Sequence, residues 1–342
     1  MKVRFGLTVS MGQNAQPYEQ FSKMCRAFDQ DGFSAVWIGD EQSLRREMYV
    51  AMTVVALNTK KAQLNCGPTN AVSRHPAVTA GAISTLNEVS GGRAALTMSR
   101  GFSNVGNLGL KPVLMAETRD YIRAVKALWK DKITTWKGKT IRLSYPTHGP
   151  LPIYIIAEGP KTLRMAGEIA DGVIVGLGQN PDVVKACFKY IREGAESAGR
   201  SIKDLDIWWH TRWNIADSYE EAVSHLGPLL ASAAGHALAA GFEGKLVPEE
   251  FQPQIRRIQE AYLYEEHREG GNNPATPMVD EVPGLRDYLV KRFTLAGTVK
   301  QFIEQVEELA DLGVTGFRLA SGPRNQPKEL KIVAEQVMPH FR

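Results

Sequence analysis

Short apolar runs alternate along the chain with longer segments in which apolar residues recur every three or four positions. A short run bounded by turn residues predicts a buried strand, and the longer period predicts an amphipathic helix. Residues 3–9 read as the first strand and 17–30 as the first helix, with Pro17 at its start and Gly32 beyond its end. Strands follow at 34–38, 62–67 and 93–98, each succeeded by a helix, at 48–59, 76–89 and 113–129. Residues 131–151 form a polar excursion. The rhythm then resumes with strands at 152–157, 172–175 and 205–215 and helices at 161–170, 181–198 and 218–233. Residues 235–293 break it with Gly241, Pro248, Pro253, Gly270, Gly271, Pro274, Pro277 and Pro283, and with one helix near 250–267. A helix at 298–312, an eighth strand at 314–320 and a last helix at 327–337 complete the pattern.

Eight strand–helix units predict an α/β fold, a single-domain (β/α)8 TIM barrel over residues 1–342. Apolar strands flanked by helices are the mark of a parallel sheet. The rival is an open doubly wound sheet, against which stands the absence of G-x-G-x-x-G after the first strand. Residues 235–293 are then an insertion between helix seven and strand eight, a candidate lid.

Composition narrows the function classes. A length of 342 residues would suit two domains of about 150, but barrels run past about 250 as one. Apolar content of 43% and charged content of 23% are ordinary globular values. The formal charge of +4 is dispersed, with no basic run of the kind that marks nucleic-acid binding. Cys25, Cys66 and Cys187 are far apart and odd in number, so neither a disulfide framework nor a metal site is predicted. The opening MKVRFGLTVS turns polar too soon for a signal peptide, and no stretch reaches the roughly 18 apolar residues of a membrane helix. A soluble cytoplasmic protein is the expectation.

In a barrel the chemistry gathers where strands end at the C-terminal face. After strand three stand Gly67, Pro68, Thr69 and Asn70, where Gly-Pro breaks the strand and Pro makes a cis bond accessible. An ordinary turn fits the same residues. After strand four, Ser99, Arg100 and Gly101 suit a phosphate or a plain surface loop. After strand five, Glu158, Gly159, Pro160 and Lys161 open a helix whose free N–H groups form an anion site. After strand six, Gly176, Leu177 and Gly178 are small enough to admit a ligand to the backbone. Asp40 and Glu41 close strand two, fit for acid–base work or for capping the next helix. On strand seven His210, Arg212 and Asn214 share one face, and a charged group there needs an acid or a ligand. The acids in view are Asp40, Glu41 and Glu158. The catalytic candidates are Asp40, Glu41, His210 and Arg212.

Several segments resemble the bacterial-luciferase-like superfamily, in particular its branch of methylene-tetrahydromethanopterin reductases and related deazaflavin enzymes. They are Trp37–Asp40 as W-x-x-D, residues 67–70 and 74–77, residues 86–93, residues 155–172, and Ala296-Gly297-Thr298. The resemblance implies a tricyclic cofactor, coenzyme F420 or FMN, with its ring against a bulge after strand three. It implies a phosphate site near Ser99–Gly101, Gly159–Lys161 and Gly176–Gly178, and a homo-oligomer. The chain departs from that branch in carrying Thr8 and Phe102 where the relatives carry acids, and Glu41 where luciferases carry a histidine. Thr8 and Phe102 are thereby candidate substrate contacts, and Phe102 points to a more apolar substrate. The expectation is two-electron redox chemistry on a small organic molecule, with no nucleic acid or membrane partner. The rivals are an FMN-dependent monooxygenase fed by a partner flavin reductase and a flavin-binding barrel without catalysis.

Overall fold

In the computed structural model the first strand, β1, spans Arg4–Val9, and β2, β3 and β4 follow at Ala35–Ile38, Gln63–Thr69 and Ala94–Met98. A hairpin, β5 and β6, occupies Ile133–Trp136 and Lys139–Arg142. Then come β7 (Ile153–Ala157), β8 (Gly172–Val175), β9 (Asp206–Ile215), β10 (Thr294–Gly297) and β11 (Gly316–Leu319). The structure describes residues 2–9, 11, 16–101, 103–149, 151–263, 273–320 and 326–341. Phe102 lies outside them.

The main sheet runs β10-β9-β11-β1-β2-β3-β4-β7-β8, and β8 pairs again with β9, so the sheet closes. The fold is the (β/α)8 barrel that the alternation predicts. Closure excludes the open-sheet rival. Among the described residues no helix is long and apolar enough to cross a membrane, and no cluster of His, Cys, Asp or Glu could hold a metal. All three cysteines are buried and free.

The strand β10 is the element of the main sheet that the apolar pattern misses. Its four residues abut the helix Leu285–Phe293, so no turn signal separates them. It pairs with the far half of β9, Thr294 opposite Arg212 and Gly297 opposite Ile215, while β11 pairs with Trp209–Thr211. The ten-residue length of β9 serves these two neighbours.

Two compact units make up the chain. Residues 6–156 and 169–172 form one; residues 1–5, 157–168 and 173–342 form the other. In the first, the polar excursion proves to be the β5–β6 hairpin, turned by Lys137-Gly138 with positive φ at both. Its strands are half-exposed, so they lack the apolar alternation that would betray them. The run at 86–93 is structural. Gly91 and Gly92 take positive φ, and the Arg93 guanidinium donates to the carbonyls of Ala56, Thr59, Ala62 and Ser90.

In the second unit the helix expected at 218–233 is two helices, Tyr219–Ser224 and Gly227–His236. Pro228 explains the break, because its ring and missing N–H suit the first turn of a new helix. The helix expected near 250–267 is Gln252–Ala261. The described part of the insertion buries Val247, Ile255, Ile258, Val279, Leu285 and Leu289. It is a packed layer with its own apolar side. Ala296-Gly297-Thr298 ends β10 and caps the next helix, where Thr298 and Gln301 form a reciprocal capping box.

Candidate active site

In the first unit the strand β3 does not stop at Gly67. Its pairing with β4 shifts register between Cys66, opposite Leu96, and Thr69, opposite Met98. The shift is a bulge, and the Gly67–Pro68 bond within it is cis, as the sequence predicts. Gly67 sits at φ +132°, and a Cβ there would lie 2.1 Å from the Thr97 carbonyl oxygen. Beyond the bulge, the Oδ1 of Asn70 accepts from the amides of Val72 and Ser73 at 2.9 and 2.8 Å. That fixes the amide, and its Nδ2 is buried without a hydrogen-bond partner, as is the Ser73 hydroxyl. The side-chain hydroxyl of Thr8, on β1 opposite Trp37, is likewise buried and unpartnered.

Asp40 is buried at the end of β2 and fully engaged. Arg74 donates to both its oxygens at 3.0 Å, and the Thr69 hydroxyl donates at 2.6 Å. A second Arg74 contact reaches Glu47 at 2.6 Å. With both oxygens taken, Asp40 joins the loops after β2 and β3. Glu41 pairs with Arg45 four residues on, across a turn. Arg100 is exposed and donates to the Val113 carbonyl, and Ser99 bonds back to Thr69.

In the second unit Glu158 follows β7 and its side chain lies over Gly176. A Cβ on Gly176 would come within 2.8 Å of Glu158 Cγ. Gly178, at φ +120°, leaves room for Arg292, whose Cγ would stand 2.6 Å from a Cβ there. The glycine pair expected to admit a ligand is thus required by two side chains of the chain itself. The buried Arg292 donates to the carbonyls of Leu177, Lys245 and Leu246. Gly159, Pro160 and Lys161 begin the helix Pro160–Ile169, whose first internal bond runs from Leu163 to Gly159.

Around Glu158 stand Arg212 of β9, Lys245 of the insertion and Arg318 of β11. Burial raises the Glu158 carboxyl above the usual carboxylate value, and the three cations oppose the rise. Burial likewise pulls Lys245 down to about 8, with Glu158 acting against the fall. Lys245 donates to the Ala237 and Ala239 carbonyls. His210 meets Arg318 at 3.1 Å across neighbouring strands, and Arg212 lies over the Phe293 ring. Asn214 turns away, donating to the Ala222 carbonyl at 2.7 Å.

Sequence reasoning brings His210, Arg212 and Glu158 together but overlooks Arg318, Lys245 and Arg74. Arg318 had a signal: it is the one charged residue of a buried four-residue strand. Lys245 had none, lying in an aperiodic stretch. Arg74 had its place in the 74–77 motif but no stated partner.

The luciferase-like monooxygenase family model matches residues 2–316. The chain belongs to that family. It is 28% identical to the 5,10-methylenetetrahydromethanopterin reductase of Methanolobus tindarius, over 95% of this chain and 97% of that protein. It is 25% identical to the F420-dependent glucose-6-phosphate dehydrogenase of Nakamurella multipartita, over 99% and 97%. The solved structure of the coenzyme F420-dependent tetrahydromethanopterin reductase from Methanopyrus kandleri superposes with a TM-score of 0.80 at 26% identity, covering all of both chains. As a luciferase-like protein with such relatives, the chain is an oxidoreductase.

Proposed function

We propose that the chain is a coenzyme F420-dependent oxidoreductase that transfers a hydride to or from a small organic molecule. One observation carries the reading: the Asn70 amide beside the β3 bulge, fixed by two backbone bonds and left with a buried, unpartnered N–H donor. A buried donor without an acceptor costs about 1–3 kcal/mol, and a carbonyl or ring nitrogen of a tricyclic cofactor supplies the acceptor. The Ser73 hydroxyl is a second such group. The residues therefore fit the cofactor. The bulge at Gly67–Thr69, Asn70 and Ser73 would hold its ring. When bound, the deazaflavin supplies the site that accepts or gives up hydride. F420 is preferred to FMN because the Nakamurella multipartita relative and the solved Methanopyrus kandleri structure are F420-dependent enzymes aligned over nearly the whole chain.

Titration of the purified protein with F420, FMN and FAD tests the proposal, and F420 is expected to bind most tightly. Asn70→Asp keeps an oxygen that can turn the loop and replaces the N–H donor with a carboxylate oxygen. It is expected to weaken F420 binding by about tenfold or more, roughly 1.4 kcal/mol, and the buried charge to lower the melting temperature as well. Tighter binding of FMN would replace the proposal with an FMN-dependent monooxygenase that needs a flavin reductase partner. Unchanged F420 affinity in Asn70→Asp would remove the observation on which it stands.

A further inference from the structure

We propose that the side-chain amide of Gln42 binds the pyrimidinedione edge of the cofactor ring, an assignment that rests on the reading above that the β3 bulge holds such a ring. Gln42 stands two residues past Asp40, in the loop after β2. Its backbone is fixed. The Glu41 carbonyl accepts from the amides of Leu44 and Arg45 at 3.2 and 3.1 Å, and the Gln42 carbonyl accepts from the Asn107 side chain at 3.0 Å. The Gln42 side chain, by contrast, bonds to nothing. Its Nε2 and its Oε1 are both buried, and neither has a hydrogen-bond partner. Among the described residues it is the one amide with both ends in that state. Its neighbours are engaged: Asn104 donates to the Asp40 carbonyl at 3.3 Å, and Asn107 to Gln42 itself.

The Gln42 loop and the bulge lie in the same compact unit. The Asp40 amide donates to the Pro68 carbonyl inside the bulge at 3.2 Å. Asn104 ties Asp40 to the segment after β4, and that segment packs on Asn70. A Cβ on Gly101 would stand 3.3 Å from the Asn70 Cβ and 2.8 Å from Val105 Cγ1. Gln42, the bulge and Asn70 are thus joined by short contacts within one unit.

The unmet groups differ in chemistry. Asn70 offers a donor only, because its oxygen is taken by the amides of Val72 and Ser73. The outer edge of a flavin or deazaflavin ring reads carbonyl, N–H, carbonyl. Asn70 can meet a carbonyl of that edge but not the N–H. A glutamine amide is planar and sets a donor beside an acceptor, so it can meet one carbonyl and the neighbouring N–H together. Gln42 supplies the acceptor that the N–H requires.

Two soluble rings test the assignment: 5-deazariboflavin, and its 3-methyl derivative, in which a methyl replaces the N–H of the edge. Wild type is expected to bind the methylated ring about tenfold or more weakly than the parent. Gln42→Met keeps the length of the side chain and removes both polar atoms. It should bind 5-deazariboflavin and F420 about tenfold more weakly than wild type, and should bind the two soluble rings alike, within about twofold. A buried amide without partners destabilises the empty protein, so ligand-free Gln42→Met should melt at or above the wild-type temperature.

Equal binding of the two rings to wild type overturns the assignment, as does unchanged affinity in Gln42→Met. So does a Gln42→Met protein that melts more than about 5 °C below wild type, because Gln42 is then a structural residue. Tighter binding of FMN than of F420, with the same dependence on Gln42, upholds the assignment and overturns the preference for F420 alone, since both rings carry this edge. A wild type that binds neither these rings nor F420 overturns the cofactor reading and this assignment together.

Discussion

Gly67→Ala is expected to lower the melting temperature by about 10 °C or more and to abolish cofactor binding. The added methyl would stand 2.1 Å from the Thr97 carbonyl oxygen and 2.8 Å from the Thr69 amide nitrogen. Both are backbone atoms of paired strands, so neither can swing aside as the end of a side chain would. Thr97 is held opposite Tyr154 in the β4–β7 ladder, and the Thr69 carbonyl accepts from the Ser99 amide at 2.8 Å. The φ of +132° adds its own cost, since a residue with a Cβ in that region is strained by about 1–3 kcal/mol. Strain and clash together come to about 4–5 kcal/mol, in the range that only a named packing or backbone fault produces. At about 2–4 °C per kcal/mol, that gives the expected shift. Thermal melts by circular dichroism and an F420 titration check it. A melting temperature within about 3 °C of wild type would mean that the β3–β4 register can relax around the methyl.

Eight of the nine strands of the main sheet were legible because each is a short apolar run closed by a turn residue. Buried parallel strands leave that trace strongly. What escaped did so for physical reasons. The β5–β6 hairpin is half-exposed and carries polar residues on both faces. The strand β10 follows a helix with no intervening turn. The break at Gly227-Pro228 falls inside an otherwise helical pattern, where proline at a first turn and proline in a kink look alike in sequence.

At the site, sequence identifies which strand ends carry polar residues but not what those residues are for. Gly176 and Gly178 read as a ligand approach, yet Glu158 and Arg292 occupy the space they leave. Arg292 looks like an ordinary helix-end cation, and only the fold shows it buried against three carbonyls. Period-two logic set Asn214 beside Arg212, but its amide is spent on the Ala222 carbonyl. The Asn70 donor and the unbonded Gln42 amide could not be read at all. What marks them is the absence of a partner, and that exists only in three dimensions.

Asp40 gives the sharpest contrast between an acid read as catalytic and an acid built into the frame. Asp40→Asn is expected to destabilise the protein by about 3–5 kcal/mol, the cost of removing one partner from a buried ion pair. The Asp40 carboxylate is 3% exposed, and it takes Arg74 through two nitrogens and Thr69 through its hydroxyl. An asparagine fills the same volume but offers one acceptor where there were two and carries no charge. The Arg74 Nε then has no anion to meet, while Nη2 keeps only the half-exposed Glu47. Because the damage is a half-buried cation left with one carboxylate where it had two, Arg74→Met added to Asp40→Asn should recover part of the loss. Equilibrium unfolding of the two single variants and the double variant measures this directly. F420 affinity should weaken in Asp40→Asn, because the Thr69 hydroxyl ties the bulge through the Asp40 carboxylate. The double variant should regain stability without regaining that affinity. A catalytic Asp40 would show the reverse: an Asp40→Asn protein that melts within about 2 °C of wild type, binds F420 normally and has lost its turnover.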